Sequence, residues 1–289
     1  MKKYKDIAGD GGSNIAGQLG AQHAKLAQSL AGVRAIVAVM SGKGGVGKSS
    51  ITASLACAWA LGGRRVGVLD ADLNGPSMAK ILGVRGQRPA VRDGAMEPAS
   101  SPLGVKVMSM DLLLPSDDAP LRWNGPTQEE AHTWRGAMEA NALREFLADA
   151  RWGDLDMLLV DLPPGADRLA TVTSMVPAMA GVVIVTIPSE VSHLVVHRSI
   201  TAAAETRAPV LGLVENMTGM FPGPPGADLA RAAGIPFLGA VPFDRSLALA
   251  GDRGEAFMDI HGERDAARAV RAIAAAIDAR LALARPAAP

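Results

Sequence analysis

Arg34-Ala35-Ile36-Val37-Ala38-Val39-Met40, followed at once by Ser41-Gly42-Lys43-Gly44-Gly45-Val46-Gly47-Lys48-Ser49-Ser50, is the stretch that decides the fold. Its first part is a short apolar run bounded by glycines, the pattern of a strand buried on both faces of a parallel sheet. Its second part contains Gly42-x4-Gly47-Lys48-Ser49, the spacing of a phosphate-binding loop. Glycines let such a backbone curl until successive N–H groups face phosphate oxygens. The helix that follows adds its positive N-terminal end. Gly42, Gly44, Gly45, Val46, Gly47, Lys48, Ser49 and Ser50 are therefore the candidate nucleotide-binding set. Within it, Lys48 can bridge the β- and γ-phosphates and the Ser49 hydroxyl can ligate Mg²⁺. ATP with Mg²⁺ is the expected ligand, and ATP hydrolysis the expected chemistry.

Outward from this stretch, similar apolar runs recur at 66–69, 105–108, 157–160, 182–187, 210–214 and 237–241. Helical stretches separate most of them, at 49–61, 129–149, 191–206 and 228–233. Alternating strands and helices imply an α/β fold, a doubly wound, mostly parallel sheet with helices on both faces. The uncharged run Leu169 to Ser189 is interrupted by Pro177, Gly181 and Pro188, so it reads as helix, turn and buried strand rather than a membrane span. Residues 83–102 form an excursion and 219–226 a Pro/Gly loop. Three parts are expected: a loosely attached leader over 1–33 with a helix near Ile15 to Leu30, an ATPase domain over 34–262, and a C-terminal helix and tail over 263–289. Val270, Ile273, Ile277 and Leu281 share one face of that last helix, which should pack on the domain.

Composition narrows the function classes. Of 289 residues, 48% are hydrophobic and only 3% aromatic, so aliphatic packing must dominate the core. Lys plus Arg and Asp plus Glu number 29 each, which gives no electrostatic argument for nucleic-acid binding. The polar face of the C-terminal helix mixes Arg268, Arg271 and Arg280 with Asp265 and Asp278, a poor match to a lipid surface. The basic N-terminus is followed by no apolar run, so no secretory signal is read there and a cytoplasmic location is expected. The lone cysteine, Cys57, permits neither an internal disulfide nor a Cys-rich metal site, and reads as a buried helix residue.

Three acids and a lysine add to the loop. Met157-Leu158-Leu159-Val160-Asp161 is an apolar strand ending in an acid, the type of residue that orients Mg²⁺ through water. Asp70-Ala71-Asp72 ends another strand, where a carboxylate can orient an attacking water or simply cap a turn. Lys43 is either a solvated surface lysine or a cation that reaches a γ-phosphate, including one bound to a second subunit.

Together these residues resemble the deviant phosphate loop of the ParA/MinD superfamily, and within it the Mrp/ApbC ATPases, carriers of iron–sulfur clusters. The likeness continues through 68–77, 104–110, Trp123-Asn124-Gly125-Pro126, 142–147, 152–165, Val214-Glu215-Asn216-Met217, 236–239 and 250–254. The resemblance implies an ATP-sandwich homodimer in which Lys43 acts across the interface, Asp72 positions the hydrolytic water and Asp161 the Mg²⁺ shell. It also implies that Asn216 hydrogen-bonds the adenine, whose edge an amide can match; a turn asparagine is the plainer reading. A client or maturation protein would be the further partner.

The departures are equally specific. Cluster carriers of this family have a C-x-x-C motif after the segment matched by 214–217, but here the chain reads Thr218-Gly219-Met220-Phe221-Pro222-Gly223-Pro224-Pro225-Gly226. Two such motifs across a dimer would hold one [4Fe–4S] cluster through four thiolates, and this chain cannot supply them. The stretch Ala166-Asp167-Arg168 is shorter than the family's usual switch, and 127–141 match it poorly. The leading expectation is an ATP-switched homodimer serving metallocofactor or iron–sulfur protein maturation without its own cluster cysteines. The alternative is a ParA/MinD-like positioning ATPase acting on a protein, DNA or membrane partner. Two bland readings complete the survey. His193 and His197, spaced for a shared metal, lack a third ligand, and Trp123, Trp134 and Trp152 read as core.

Overall fold

The computed structural model describes residues 15–114, 128–176, 178–206 and 208–284. The segment Trp123-Asn124-Gly125-Pro126 lies outside the described residues, as do the side chains of Trp134 and His193. Among the described residues there are ten strands: β1 (Ile36–Ser41), β2 (Val66–Asp70), β3 (Ala90–Arg92), β4 (Ala95–Glu97), β5 (Ala99–Ser100), β6 (Lys106–Met108), β7 (Met157–Asp161), β8 (Gly181–Thr186), β9 (Val210–Thr218) and β10 (Phe237–Pro242). The helices are α1 (Ile15–Ser29), α2 (Lys48–Leu61), α3 (Met78–Ile81), α4 (Gln128–Asp149), α5 (Asp167–Met175), α6 (Glu190–Glu205), α7 (Gly226–Ala232), α8 (Arg245–Arg253), α9 (Phe257–Ile260) and α10 (Asp265–Ala284).

Eight strands form one sheet in the order β10-β9-β8-β1-β7-β2-β6-β5, parallel throughout except for β5 against β6. Every residue of β1, β2, β7 and β8 is buried, as the uninterrupted apolar runs require. Side chains alternate between faces, so each strand feeds two cores. Val37, Val39, Val68 and Leu159 join α2, α9 and α10 on one face. Ile36, Ala38, Met40, Leu158 and Val160 join α4, α5 and α6 on the other. Register places Val39 and Asp70 each opposite Asp161, so the carboxyl ends of β1, β2 and β7 meet at one edge. This is where open α/β sheets bind ligands.

The expected doubly wound, mostly parallel sheet is therefore present. Residues 169–189 form most of α5, a turn and β8, as read from their breakers, and among the described residues no helix is long and apolar enough to cross a membrane. The excursion over 83–102 carries more order than its composition suggests. Asp93 and Gly94 both take positive φ and close the hairpin of β3 and β4, a two-residue Asp-Gly turn that reading the segment as an excursion passed over.

The helix assigned to a loosely attached leader packs on the domain. Leu26 is buried in the core beside Leu30 and Val33, the Ser29 hydroxyl donates to the Ala150 carbonyl at 3.1 Å, and Lys25 pairs with Asp149. Spacing explains it: Leu26 and Leu30 lie one turn apart at the end of the helix, and the chain then runs through Val33, bridged to Leu155, towards β1. The C-terminal helix docks on the opposite face, where Val270, Ile273 and Ile277 are buried. Its Asp278 accepts from Trp59 Nε1 at 3.2 Å and from Arg64 at 2.7 Å, two residues of α2 and its following turn. Trp152 is fully buried and donates Nε1–H to the Phe146 carbonyl at 3.2 Å, as a core tryptophan should.

Ile277→Ala should cost about 2–4 kcal/mol through the cavity it leaves between α10 and the sheet. Urea unfolding followed by circular dichroism would show this as a lower midpoint with an unchanged slope.

Candidate nucleotide site

The loop leaves β1 at Ser41 and enters α2 at Lys48. Its path depends on glycine at two places. Gly47 takes φ 75°, and a Cβ there would lie 2.3 Å from Nδ2 of Asn216. Gly42 faces α6, where a Cβ would lie 2.8 Å from the Val195 side chain. Asn216, at the end of β9, donates Nδ2–H to the Val46 carbonyl at 2.9 Å. The amide thus props the loop from beneath and keeps Oδ1 and a second N–H for other partners. Ser41 Oγ donates to the Lys43 carbonyl at 3.0 Å, while the partly buried Lys43 side chain lies on the outer turn.

Asp161 collects the first turn of α2. Its carboxylate has no solvent exposure. One oxygen accepts from Lys48 Nζ at 2.6 Å and from Ser49 Oγ at 2.7 Å, and the other accepts from Thr52 Oγ1 at 2.6 Å. Sequence reasoning named Lys48, Ser49 and Asp161 but missed Thr52. The available signal was its position one turn beyond Lys48, on the same helix face. A lysine head, two hydroxyls and a carboxylate gathered at the first turn of a helix, next to a glycine loop, suit a phosphate with a hard, oxygen-loving cation.

The paired acids after β2 separate by environment. Asp70 is fully buried and accepts from the backbone N–H of Ser77 and Met78 at 2.9 and 3.0 Å, from Ser109 Oγ at 3.0 Å and from the Asp72 N–H at 3.2 Å. Burial, together with the neighbouring Asp161 charge, pushes its carboxyl up to about 7. Asp70 is committed to anchoring α3 and the chain around Ser109. Asp72 is only partly buried, accepts one bond from the Gly75 N–H at 3.2 Å, and lines a cavity of about 210 Å³ with Asn74, Glu139, Pro163, Pro164 and Arg168. The turn after β7 closes this space: Leu162 N–H donates to the Val39 carbonyl at 3.0 Å, and Gly165 N–H to that of Ser41 at 2.9 Å.

Two other groups bear on what the site can hold. Cys57 is buried within α2, and its thiol is pushed up to about 12 by burial, so it offers no thiolate. Among the described residues no group of three or more His, Cys, Asp or Glu could hold a metal. Glu215, beside Asn216, is buried and accepts from the Gly226 N–H, closing the base of the Pro/Gly loop, and burial raises its pKa.

Comparison with known proteins follows this geometry. The sequence pattern of the NUBPL iron-transfer P-loop NTPases, within the ParA family, matches residues 32–133 and 127–278. An iron–sulfur cluster carrier protein of Saccharolobus solfataricus is 41% identical over 256 residues, covering 84% of this chain and 83% of its own. The human cytosolic Fe-S cluster assembly factor NUBP2 is 38% identical over 246 residues, covering 80% of this chain and 87% of its own. Among solved structures, a nucleotide-binding protein from Archaeoglobus fulgidus in complex with ADP superimposes with TM-score 0.69 at 36% identity, over 84% of this chain and 94% of its own. The cell division ATPase MinD of Pyrococcus furiosus shares the fold, with TM-score 0.63 at 19% identity over 85% of this chain and 99% of its own.

Because the Asp70 carboxyl titrates near pH 7 when folded and near 4 when unfolded, the folded state holds the extra proton between those values. Its contribution to stability should therefore fall as pH rises from about 4 to about 7, by on the order of 4 kcal/mol, and stay low above that. Unfolding free energies of wild type and Asp70→Asn at pH 5 and pH 8 test this. The variant should gain relative to wild type at the higher pH.

Proposed function

Since the chain belongs to the NUBPL-type iron-transfer P-loop NTPases of the ParA family, we propose that it binds and hydrolyses Mg·ATP as a homodimer and serves the maturation of iron–sulfur proteins without carrying a cluster itself. The observation that carries this reading is the convergence of Lys48, Ser49 and Thr52 on the buried Asp161 beneath the glycine loop.

In this reading the backbone N–H groups of residues 42–50 receive the phosphates, and the Lys48 ammonium turns from Asp161 to the β- and γ-oxygens. Ser49 would hold Mg²⁺ directly and Asp161 would hold it through water. When bound, the ion neutralises charge on the phosphate oxygens. Thr52 keeps Asp161 oriented while Lys48 moves. Asp72, partly open at the cavity mouth and braced by Gly75, orients the attacking water and accepts its proton. Lys43 reaches the γ-phosphate bound by the second subunit and offsets the charge that develops there. Asn216 places its remaining N–H and Oδ1 against the adenine edge while propping the loop. The cluster itself does not fit this chain: its only cysteine is the buried Cys57, and residues 218–226 contain none. No step is routed through a cluster held here, so the work on a client is done by the nucleotide-dependent dimer. Action in the cytoplasm is the matching location, since the human relative NUBP2 is named a cytosolic assembly factor.

Lys48→Ala should lower hydrolysis at least about a hundredfold, and Asp72→Asn should lower kcat by a similar factor with KM almost unchanged. Lys43→Ala and Asp72→Asn chains should each be inactive alone. Mixed in equal amounts, they should recover about a quarter of the wild-type rate, because a mixed dimer holds one complete site. No recovery would place Lys43 in its own subunit's site. Anaerobic reconstitution with iron and sulfide should leave the protein without the visible absorption of a cluster. A stable stoichiometric cluster would overturn the carrier-free reading.

A further inference from the structure

Helix α4 buries Leu143, Phe146 and Leu147 in the core. Glu139 stands one turn earlier on the same stripe and is itself 2% exposed. A carboxylate thus occupies a position that the helix periodicity assigns to an apolar side chain. It is paired on two sides: Arg168, at the start of α5, forms an ion pair with it, and Asn74 donates Nδ2–H to Oε1 at 2.9 Å. These partners come from the two loops that frame the cavity beside the phosphate loop. Asn74 lies two residues beyond Asp72, and Arg168 lies three beyond Gly165, whose N–H is bonded to Ser41 at the start of the phosphate loop.

An apolar residue at 139 would bury more favourably than a desolvated ion pair, so stability alone does not account for the carboxylate. Directed, charge-assisted bonds fix separation and orientation in a way that apolar contact does not. We infer that Glu139 is a positioning residue for nucleotide hydrolysis: through Asn74 and Arg168 it holds the Asp72 loop and the turn after β7 at a set distance across the cavity. The catalytic part of this inference rests on the ATPase reading above; the latch between the two loops does not. The short Ala166-Asp167-Arg168 segment gains significance here, because α4 restrains its end from outside the site.

The test uses full-length protein carrying Glu139→Gln, Arg168→Gln or both, with Leu147→Ala as a control that perturbs the buried face of the same helix away from the cavity. Steady-state kinetics of Glu139→Gln should show kcat down about tenfold with KM within about twofold. The double variant should be no slower than the slower single one, because the pair acts as a unit. Amide exchange measured without nucleotide should accelerate at 72–77 and 165–169 together in Glu139→Gln, with α2 unchanged. An unchanged kcat in folded Glu139→Gln, losses that add in the double variant, or a rate loss matched by Leu147→Ala would each overturn the positioning role. Should wild type hydrolyse no ATP, the ATPase reading fails together with the catalytic role of Glu139. The exchange arm then decides the latch alone, and equal exchange at both loops in wild type and Glu139→Gln overturns it.

Discussion

The Asp161 carboxylate has no access to water, yet it sits where a cation, two hydroxyls and the ends of three strands converge. A charge in that position is tolerable only because its oxygens are bonded and Lys48 lies beside it. The rest of the site follows from this demand. β7 must deliver the acid beside β1, α2 must present its first turn to it, and the loop between β1 and α2 must be free enough to make that turn. Asp70 feels the same charge from the neighbouring strand, which helps keep its proton on and leaves Asp72 as the more accessible acid of the pair.

Local pattern carried much of this before any coordinates. The buried strands were legible because their runs are uninterrupted, and the glycine loop because its chemistry leaves few alternatives at that spacing. Lys48, Ser49 and Asp161 meet as their motifs suggest. What escaped was whatever depends on contact between distant segments. Thr52 looks like any helix threonine until Asp161 is opposite it, and Glu139 reads as a surface charge on α4 until Arg168 and Asn74 enclose it. The docking of α1 was missed for a related reason. Its apolar stripe is thin, and among its described side chains only Leu26 goes deep, so the sequence resembles a solvated helix. Asn216 shows that a residue can serve the loop's shape as well as a ligand, a distinction that spacing cannot make.

Relatives are named for iron–sulfur carriage or assembly, whereas this chain retains the nucleotide machinery and has a single, buried cysteine. The two facts are compatible because the parts are physically separate. The phosphate site is built at the ends of β1, β2 and β7, while the segment where cluster cysteines would be expected follows β9, beyond β8 in the sheet. Loss of thiolates there removes no ligand from the phosphate loop.

The base of that segment is held independently of its tip. Glu215 grips the N–H of Gly226, and Thr218 accepts from the N–H of Phe243, so the loop is cinched where it leaves the sheet. Beyond the cinch the tip touches the domain where Gly223 lies against the Pro188–Ser189 backbone, and changes of length outside that contact alter chiefly the entropy of loop closure, which grows slowly with length. Asn216, on the sheet side of the cinch, keeps its hold on Val46 whatever the loop contains. The chain is thus modular at this point: the tip could be exchanged for another chemistry while the glycine loop and its Asp161 anchor beneath it stayed in place.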